Sequence, residues 1–142
     1  MLSRINTVLI LLITLFLFTD NITNSWSADK TLKLGAIYPL TGPMAKMGNE
    51  ELRGAELAVK EINDEGGING HRIILSKADA PDPNAAVSEA ERLINLEKVP
   101  LIVGSYSSGV AFAASAVAER SKVIYWEMGG IVDDLVKRGF KY

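Results

Sequence analysis

An α/β fold, a parallel sheet carrying helices on both faces, is the architecture this chain predicts. From Thr31 onward, short apolar runs rich in β-branched residues alternate four times with longer segments of helical composition or period. The spacing of the runs suits right-handed βαβ units, which lay successive strands side by side and parallel. In such sheets ligands bind outside the carboxyl ends of the strands. Three loops are expected at that edge: Leu40 to Gly48, Gly104 to Gly109 and Glu127 to Ile131.

Each element has its own signal. Leu34-Gly35-Ala36-Ile37-Tyr38 reads as a buried strand, stopped by Pro39 and followed by the turn residues Thr41-Gly42-Pro43. Leu52, Ala55, Val59 and Ile62 then recur at helical spacing, with Arg53, Glu56, Lys60 and Asp64 largely elsewhere and Gly66-Gly67 as the stop. Asn69-Gly70 turns tightly into a second strand, His71 to Ser76. Asp82-Pro83 opens the next helix, Asp82 as its cap and Pro83 at the first position, where a missing N–H is no loss. Val87, Ala90, Leu93 and Ile94 are its expected buried face, and Pro100 ends it. Leu101 to Val103 is the third strand, the Ala-rich segment Val110 to Arg120 the third helix, Val123 to Trp126 the fourth strand, and Ile131 to Lys137 a fourth helix.

The N-terminus has a different character. Arg4 precedes the uncharged run Val8 to Phe18, which is shorter than the ~18–20 residues of a membrane span, and the small residues Ser25 and Ser27 suit cleavage before Ala28. Residues 1–27 therefore read as a secretory signal peptide and 28–142 as the mature segment. With no Cys in the chain there is neither a lipid-acceptor thiol nor a disulfide, so a periplasmic protein without a lipid anchor is expected, stabilised by its core.

The turn Gly104-Ser105-Tyr106-Ser107-Ser108-Gly109 carries the chemistry. It stands where a strand hands over to a helix. The first N–H groups of a helix lack intrahelical partners, and the macrodipole favours negative charge there, so Ser107 and Ser108 could add hydroxyl donors to an anion site. A serine that only caps its own helix would give the same letters, and both readings stand at this point.

Other classes find little support. The formal net charge is −2 and Lys and Arg are not gathered into runs, which argues against nucleic acid. The lone His71 and the absence of Cys leave no metal-ligand cluster, no Gly-rich phosphate loop occurs, and no cofactor is expected. Ser105-Tyr106-Ser107-Ser108-Gly109 approaches a hydrolase nucleophile elbow, but Ser105 stands where the first Gly belongs and His71 precedes the serine instead of following it. An enzyme is not expected.

Several stretches carry a resemblance. Leu34 to Pro43, Arg53-Gly54-Ala55-Glu56-Leu57-Ala58, Ile62 to Gly70, Asp82-Pro83, Val103 to Ser108 and Arg138-Gly139-Phe140-Lys141-Tyr142 look like the periplasmic leucine/isoleucine/valine-binding proteins, the substrate-binding components of ATP-driven importers. The resemblance implies the amino-terminal lobe of a two-lobed protein that closes on an amino acid or related small molecule and delivers it to an inner-membrane permease. An extracellular sensing domain of a receptor or regulator with the same fold is the alternative. It further implies that Ser108 binds the ligand carboxylate with the Gly109 N–H beside it, that Gly129 and Ile131 offer groups from the loop after the fourth strand, and that Met47 packs on the ligand side chain, with Tyr106 flanking the mouth. Ile131 departs from the pattern, since it lacks the hydroxyl the family usually has there. Ordinary loop packing is the other reading of Met47.

Overall fold

The computed structural model describes residues 30–142; the expected signal peptide lies outside them. Four parallel strands, β1 (Lys30–Tyr38), β2 (His71–Asp79), β3 (Leu101–Gly104) and β4 (Ile124–Glu127), form one sheet in the order β2-β1-β3-β4. Between and after them run α1 (Ala45–Asp64), α2 (Pro83–Asn95), α3 (Ser108–Ser121) and the single turn α4 (Asp134–Lys137).

Strand alternation divides the core in two. Ile37, Ala78 and Ile102 face α2 and α3 and pack with Ala86, Ala90, Leu93, Val110, Ala114 and Ala118. Their neighbours Ala36 and Tyr38 point the other way, toward Leu52 of α1, with Leu75 and Val103 at the margin. Helices on both faces are thus present as expected, two on one side and one on the other. With α1 set against β1 and β2, the same face of β4 stays uncovered: Ile124 and Trp126 are 47% and 64% exposed. β4 is also an open sheet edge.

Helix ends follow local chemistry. Asp82 Oδ1 accepts from the Asn84 and Ala85 amides at 2.8 and 2.9 Å, and Pro83 takes the first position of α2. The Asn69-Gly70 turn closes with reciprocal bonds between Ile68 and His71, each 2.9 Å. Asn63 fastens the end of α1 to β2, donating to the Ile73 carbonyl at 2.9 Å and accepting its amide at 2.7 Å.

The differences from expectation have physical causes. β1 begins at Lys30 and β2 runs to Asp79 because the two pair continuously from Lys30↔His71 to Tyr38↔Asp79; partner bonding extends strands into sequence that is not apolar. β3 and β4 each end one residue later than expected, at Gly104 and Glu127, which pair with one another. On α2, Ala86 is buried and Val87 is exposed, since the stripe at 86, 90, 93 and 94 points at the sheet and Val87 sits about 100° further round. The fourth helix begins at Asp134, not Ile131, because the Ile131 amide is bonded to a side chain of α3 and the chain there remains extended.

Candidate functional site

Strand order decides where the crevice lies. From β1 the chain goes through α1 to β2 on one side, then back past β1 through α2 to β3 on the other, so the carboxyl ends of β1 and β3 flank the switch point. The loop after β1 is held by Asp79: its Oδ1 accepts from the Leu40 and Thr41 amides at 2.8 and 3.1 Å, and its Oδ2 from the Thr41 hydroxyl at 2.7 Å. At the end of β3, Gly104 has φ +148°, and a Cβ there would lie 2.1 Å from the Ile37 carbonyl oxygen. Only glycine lets β3 turn away this close to β1.

The serines divide the two readings left open by the sequence. Ser107 is the cap of α3, its Oγ accepting from the Val110 amide at 3.4 Å. Ser105 is fully buried and its Oγ accepts from the Ser107 amide at 3.3 Å, which braces the turn. Ser108 does neither. Its Oγ reaches across to accept the Ile131 amide at 3.1 Å, joining the β3–α3 turn to the loop after β4, and its hydroxyl proton stays available for donation. The amides of Ser108 and Gly109, in the first turn of α3, have no intrahelical acceptor and stand at the positive end of the helix.

Other expected site residues are placed less uniformly. Ile131 meets Ser108 through its backbone, whereas its side chain is 92% exposed. Gly129 lies in the same loop and donates its N–H to Glu127 Oε1 at 2.8 Å. Tyr106 is exposed on the β3–α3 turn. Met47 is not a loop residue: α1 starts at Ala45, so Met47 is in its first turn, exposed. No recorded hydrogen bond or core cluster links it to Ser108 among the described residues.

The sequence reading missed a set of acidic and phenolic groups at this edge. Glu127 Oε1 accepts from the amides of Ser105 (3.3 Å), Met128 (3.0 Å), Gly129 (2.8 Å) and Gly130, so the carboxylate itself fills the amide nest formed by two of the loops. Glu51, from α1, presses against Gly129 so closely that a Cβ there would lie 2.3 Å from Glu51 Oε1. Tyr38 is fully buried and its hydroxyl donates to Met128 Sδ at 3.5 Å. Among the described residues, the second oxygens of Glu51 and Glu127 are buried without a hydrogen bond, and the buried Tyr125 hydroxyl, itself a donor, is set beside Glu127. Burial, with the Glu127 charge nearby, raises the Glu51 carboxyl above its ordinary range, and burial beside Glu51 and Glu127 pushes the Tyr38 hydroxyl up to about 12. The available signal was a charged residue, Glu127, at the carboxyl end of a strand in a loop otherwise built of Gly and Met.

Next to this cluster is an open cavity of about 480 Å³ bounded by Tyr125, Glu127, Gly130, Ile131, Leu135 and Arg138. Arg138 closes one side by donating to the Phe112 carbonyl at 2.9 Å and Ser115 Oγ at 2.6 Å while lying 4.1 Å from the Phe112 ring centre. Among the described residues, no group of three or more His, Cys, Asp or Glu could hold a metal ion, and no helix is long and apolar enough to cross a membrane.

A four-strand parallel sheet in the order β2-β1-β3-β4 with helices on both faces is a lobe of the type 1 periplasmic-binding-protein fold. The comparisons agree. Residues 31–140 match the periplasmic binding protein family model, and the chain belongs to that family. Leu/Ile/Val-binding protein homolog 7 of Brucella abortus is 47% identical over 114 residues, which are 80% of this chain and 29% of that protein. Homolog 8 of the same organism is 46% identical over 111 residues, 78% of this chain and 28% of the relative. The isoleucine complex of the branched-chain amino acid transporter substrate-binding protein LivJ from Streptococcus pneumoniae superposes with a TM-score of 0.74 at 36% identity, covering 76% of this chain and 31% of that one. The leucine-binding protein LivK of Thermotoga maritima gives a TM-score of 0.69 at 26% identity over 78% of this chain and 31% of that one. The chain spans less than a third of the length of these relatives.

Proposed function

We propose that this lobe forms half of the binding site of an importer's substrate-binding protein, which captures a small amino acid-like or amide ligand between two lobes and hands it to a membrane permease. The observation that carries the reading is the meeting of Ser108 and Ile131 at the N-terminus of α3. A hydroxyl with a free proton, two unpaired amides and the helix dipole there suit a carboxylate. The names of the relatives support an amino acid as ligand.

Magnitudes explain why a second lobe is required. Three charge-assisted hydrogen bonds at ~1.5–3 kcal/mol each, with up to ~2 kcal/mol from the helix end, must exceed an association cost of ~4–15 kcal/mol. Micromolar affinity needs a net of about 8 kcal/mol. One lobe alone should bind weakly.

The test is calorimetric titration of L-isoleucine and L-leucine into the full-length protein carrying this lobe. Ser108→Ala should weaken binding roughly ten- to a hundredfold, by losing ~1.5–3 kcal/mol. Ser107→Ala should instead lower thermal stability by ~1 kcal/mol with little change in affinity. Unchanged affinity in Ser108→Ala would overturn the role given to that residue.

Export belongs to the same proposal and is supported by Arg4, the short apolar run and Ser25-Trp26-Ser27. In a Gram-negative host the periplasmic fraction should yield a protein whose N-terminal sequence starts at Ala28 or within a residue or two. A product that retains Met1 in the membrane fraction would contradict it.

A further inference from the structure

We infer that Asn69 is a self-modifying site, at which the side-chain amide cyclises onto the Gly70 nitrogen with loss of ammonia and the His71 ring promotes the step. The turn lies at the amino end of β2, away from the crevice at the carboxyl ends of the strands, so the site stands apart from ligand capture.

The fold displays the reacting atoms. Ile68 and His71 exchange backbone hydrogen bonds, each 2.9 Å, which makes Asn69 and Gly70 the two central residues of a tight turn. Both have positive φ, 51° and 75°, and both are exposed. Among the described residues, neither the Gly70 N–H nor the Asn69 side-chain amide has a hydrogen-bond partner. Space around Gly70 is open, since a Cβ built there would meet nothing within 4 Å. Asn63 and Asn49 are held differently: Asn63 is clamped on the Ile73 backbone, and Asn49 Nδ2 donates to the Leu40 and Ala45 carbonyls.

His71 supplies what an Asn-Gly turn alone lacks. For the nitrogen to attack, the Gly70 N–H must give up its proton, and amide resonance spreads the resulting negative charge onto the carbonyl oxygen of the same peptide unit, that of Asn69. His71 Nδ1 stands 3.2 Å from that oxygen. A carbonyl oxygen can only accept, so in this contact Nδ1 carries the proton and donates. The bond strengthens as charge gathers on the oxygen, which favours the reacting state over the resting turn.

Water takes the Gly70 proton, the freed electron pair bonds to Asn69 Cγ, and the Cγ–Nδ2 bond breaks, Nδ2 leaving as ammonia with a proton returned by water. A second water adds across one of the two imide C–N bonds and opens the ring to aspartate or to an isoaspartate linkage at position 69. Either product adds a negative charge to the turn. The isoaspartate also lengthens the main chain by one methylene between Ile68 and His71, which works against their reciprocal bonds.

The test is a time course of the full-length protein carrying this lobe, incubated at neutral pH and followed by peptide mapping with mass spectrometry. Acid should accumulate at Asn69 ahead of Asn49 and Asn63, and His71→Phe should slow it roughly three- to tenfold, the worth of one hydrogen bond. His71→Ala repeats the comparison, so a folding defect in one variant leaves the other. In urea the parent and both variants should react at one rate, because the approach of Nδ1 to the Asn69 carbonyl belongs to the folded turn. Unchanged rates in the folded variants would overturn the part given to His71, as would a difference that persists in urea. An intact Asn69 in the folded parent, with acid formed there only in urea, would overturn the site itself.

Discussion

Two carboxylate clusters lie at different places along the same sheet, and they are built in opposite ways. Around Glu97, in the connection that leads into β3, every charge has an answer: the carboxylate accepts from the Ser76 hydroxyl and the Arg92 guanidinium, and Lys33 lies 3.4 Å away. Arg92 in turn bonds Glu89 at 2.7 Å. Around Glu51 and Glu127, beyond the carboxyl ends of the strands, neither carboxyl group is ion-paired to a basic side chain among the described residues, and one oxygen of each is buried without a hydrogen bond. The direction of each titration follows. The Ser76 hydrogen bond, with Lys33 and Arg92, holds Glu97 below the usual carboxylate range, whereas burial and Glu127 raise Glu51. One cluster is complete within the fold. The other holds two carboxyl groups close together at the carboxyl edge, where burial and their mutual repulsion act against ionisation of Glu51.

The largest expected effect comes from breaking the one well-satisfied part of the carboxyl-edge cluster. Glu127→Ala strands four amides around an empty nest and should cost about 2–4 kcal/mol in chemical denaturation, with the slope unchanged. Glu127→Gln keeps an acceptor oxygen and should cost far less. Equal losses in both would mean that charge, not amide satisfaction, holds the loop.

A smaller effect sharpens the contrast through pH. Glu51 keeps its proton to higher pH folded than unfolded, so it weakens the fold as pH rises above its ordinary value of 4.5. Glu51→Gln should therefore match the parent in acid and exceed its thermal midpoint at neutral pH, by less than about 1 kcal/mol given the partial exposure of the residue. Glu97 runs the other way: its contribution is present above 4.5 and is lost as pH falls through its lowered folded value. Glu97→Gln should match the parent only in strong acid and fall below it at neutral pH. Thermal scans of the three proteins from pH 3 to 8 decide this, and parallel curves would remove the distinction between the clusters.

Much of the fold was readable before any coordinates. Gly66-Gly67, Asn69-Gly70 and Asp82-Pro83 are local signals, because the backbone preferences of those residues act within a few positions. The three loops of the ligand edge follow from alternation alone. The Val87 error marks the limit of periodicity: Ala86 and Val87 are adjacent and both apolar, so only the direction of the sheet chooses between them. Met47 shows another limit, since α1 starts without a side-chain cap and nothing local announces its first turn.

By itself, then, the sequence determined the parallel α/β class, the order of the elements, the position of the serine-rich turn at a helix N-terminus and the family. Tertiary structure alone decided which serine caps and which reaches Ile131, and that Glu51 from α1 meets Glu127 from β4. Those outcomes depend on how residues 23 and 76 positions apart are brought together by strand order, and no local propensity encodes a distance of that kind.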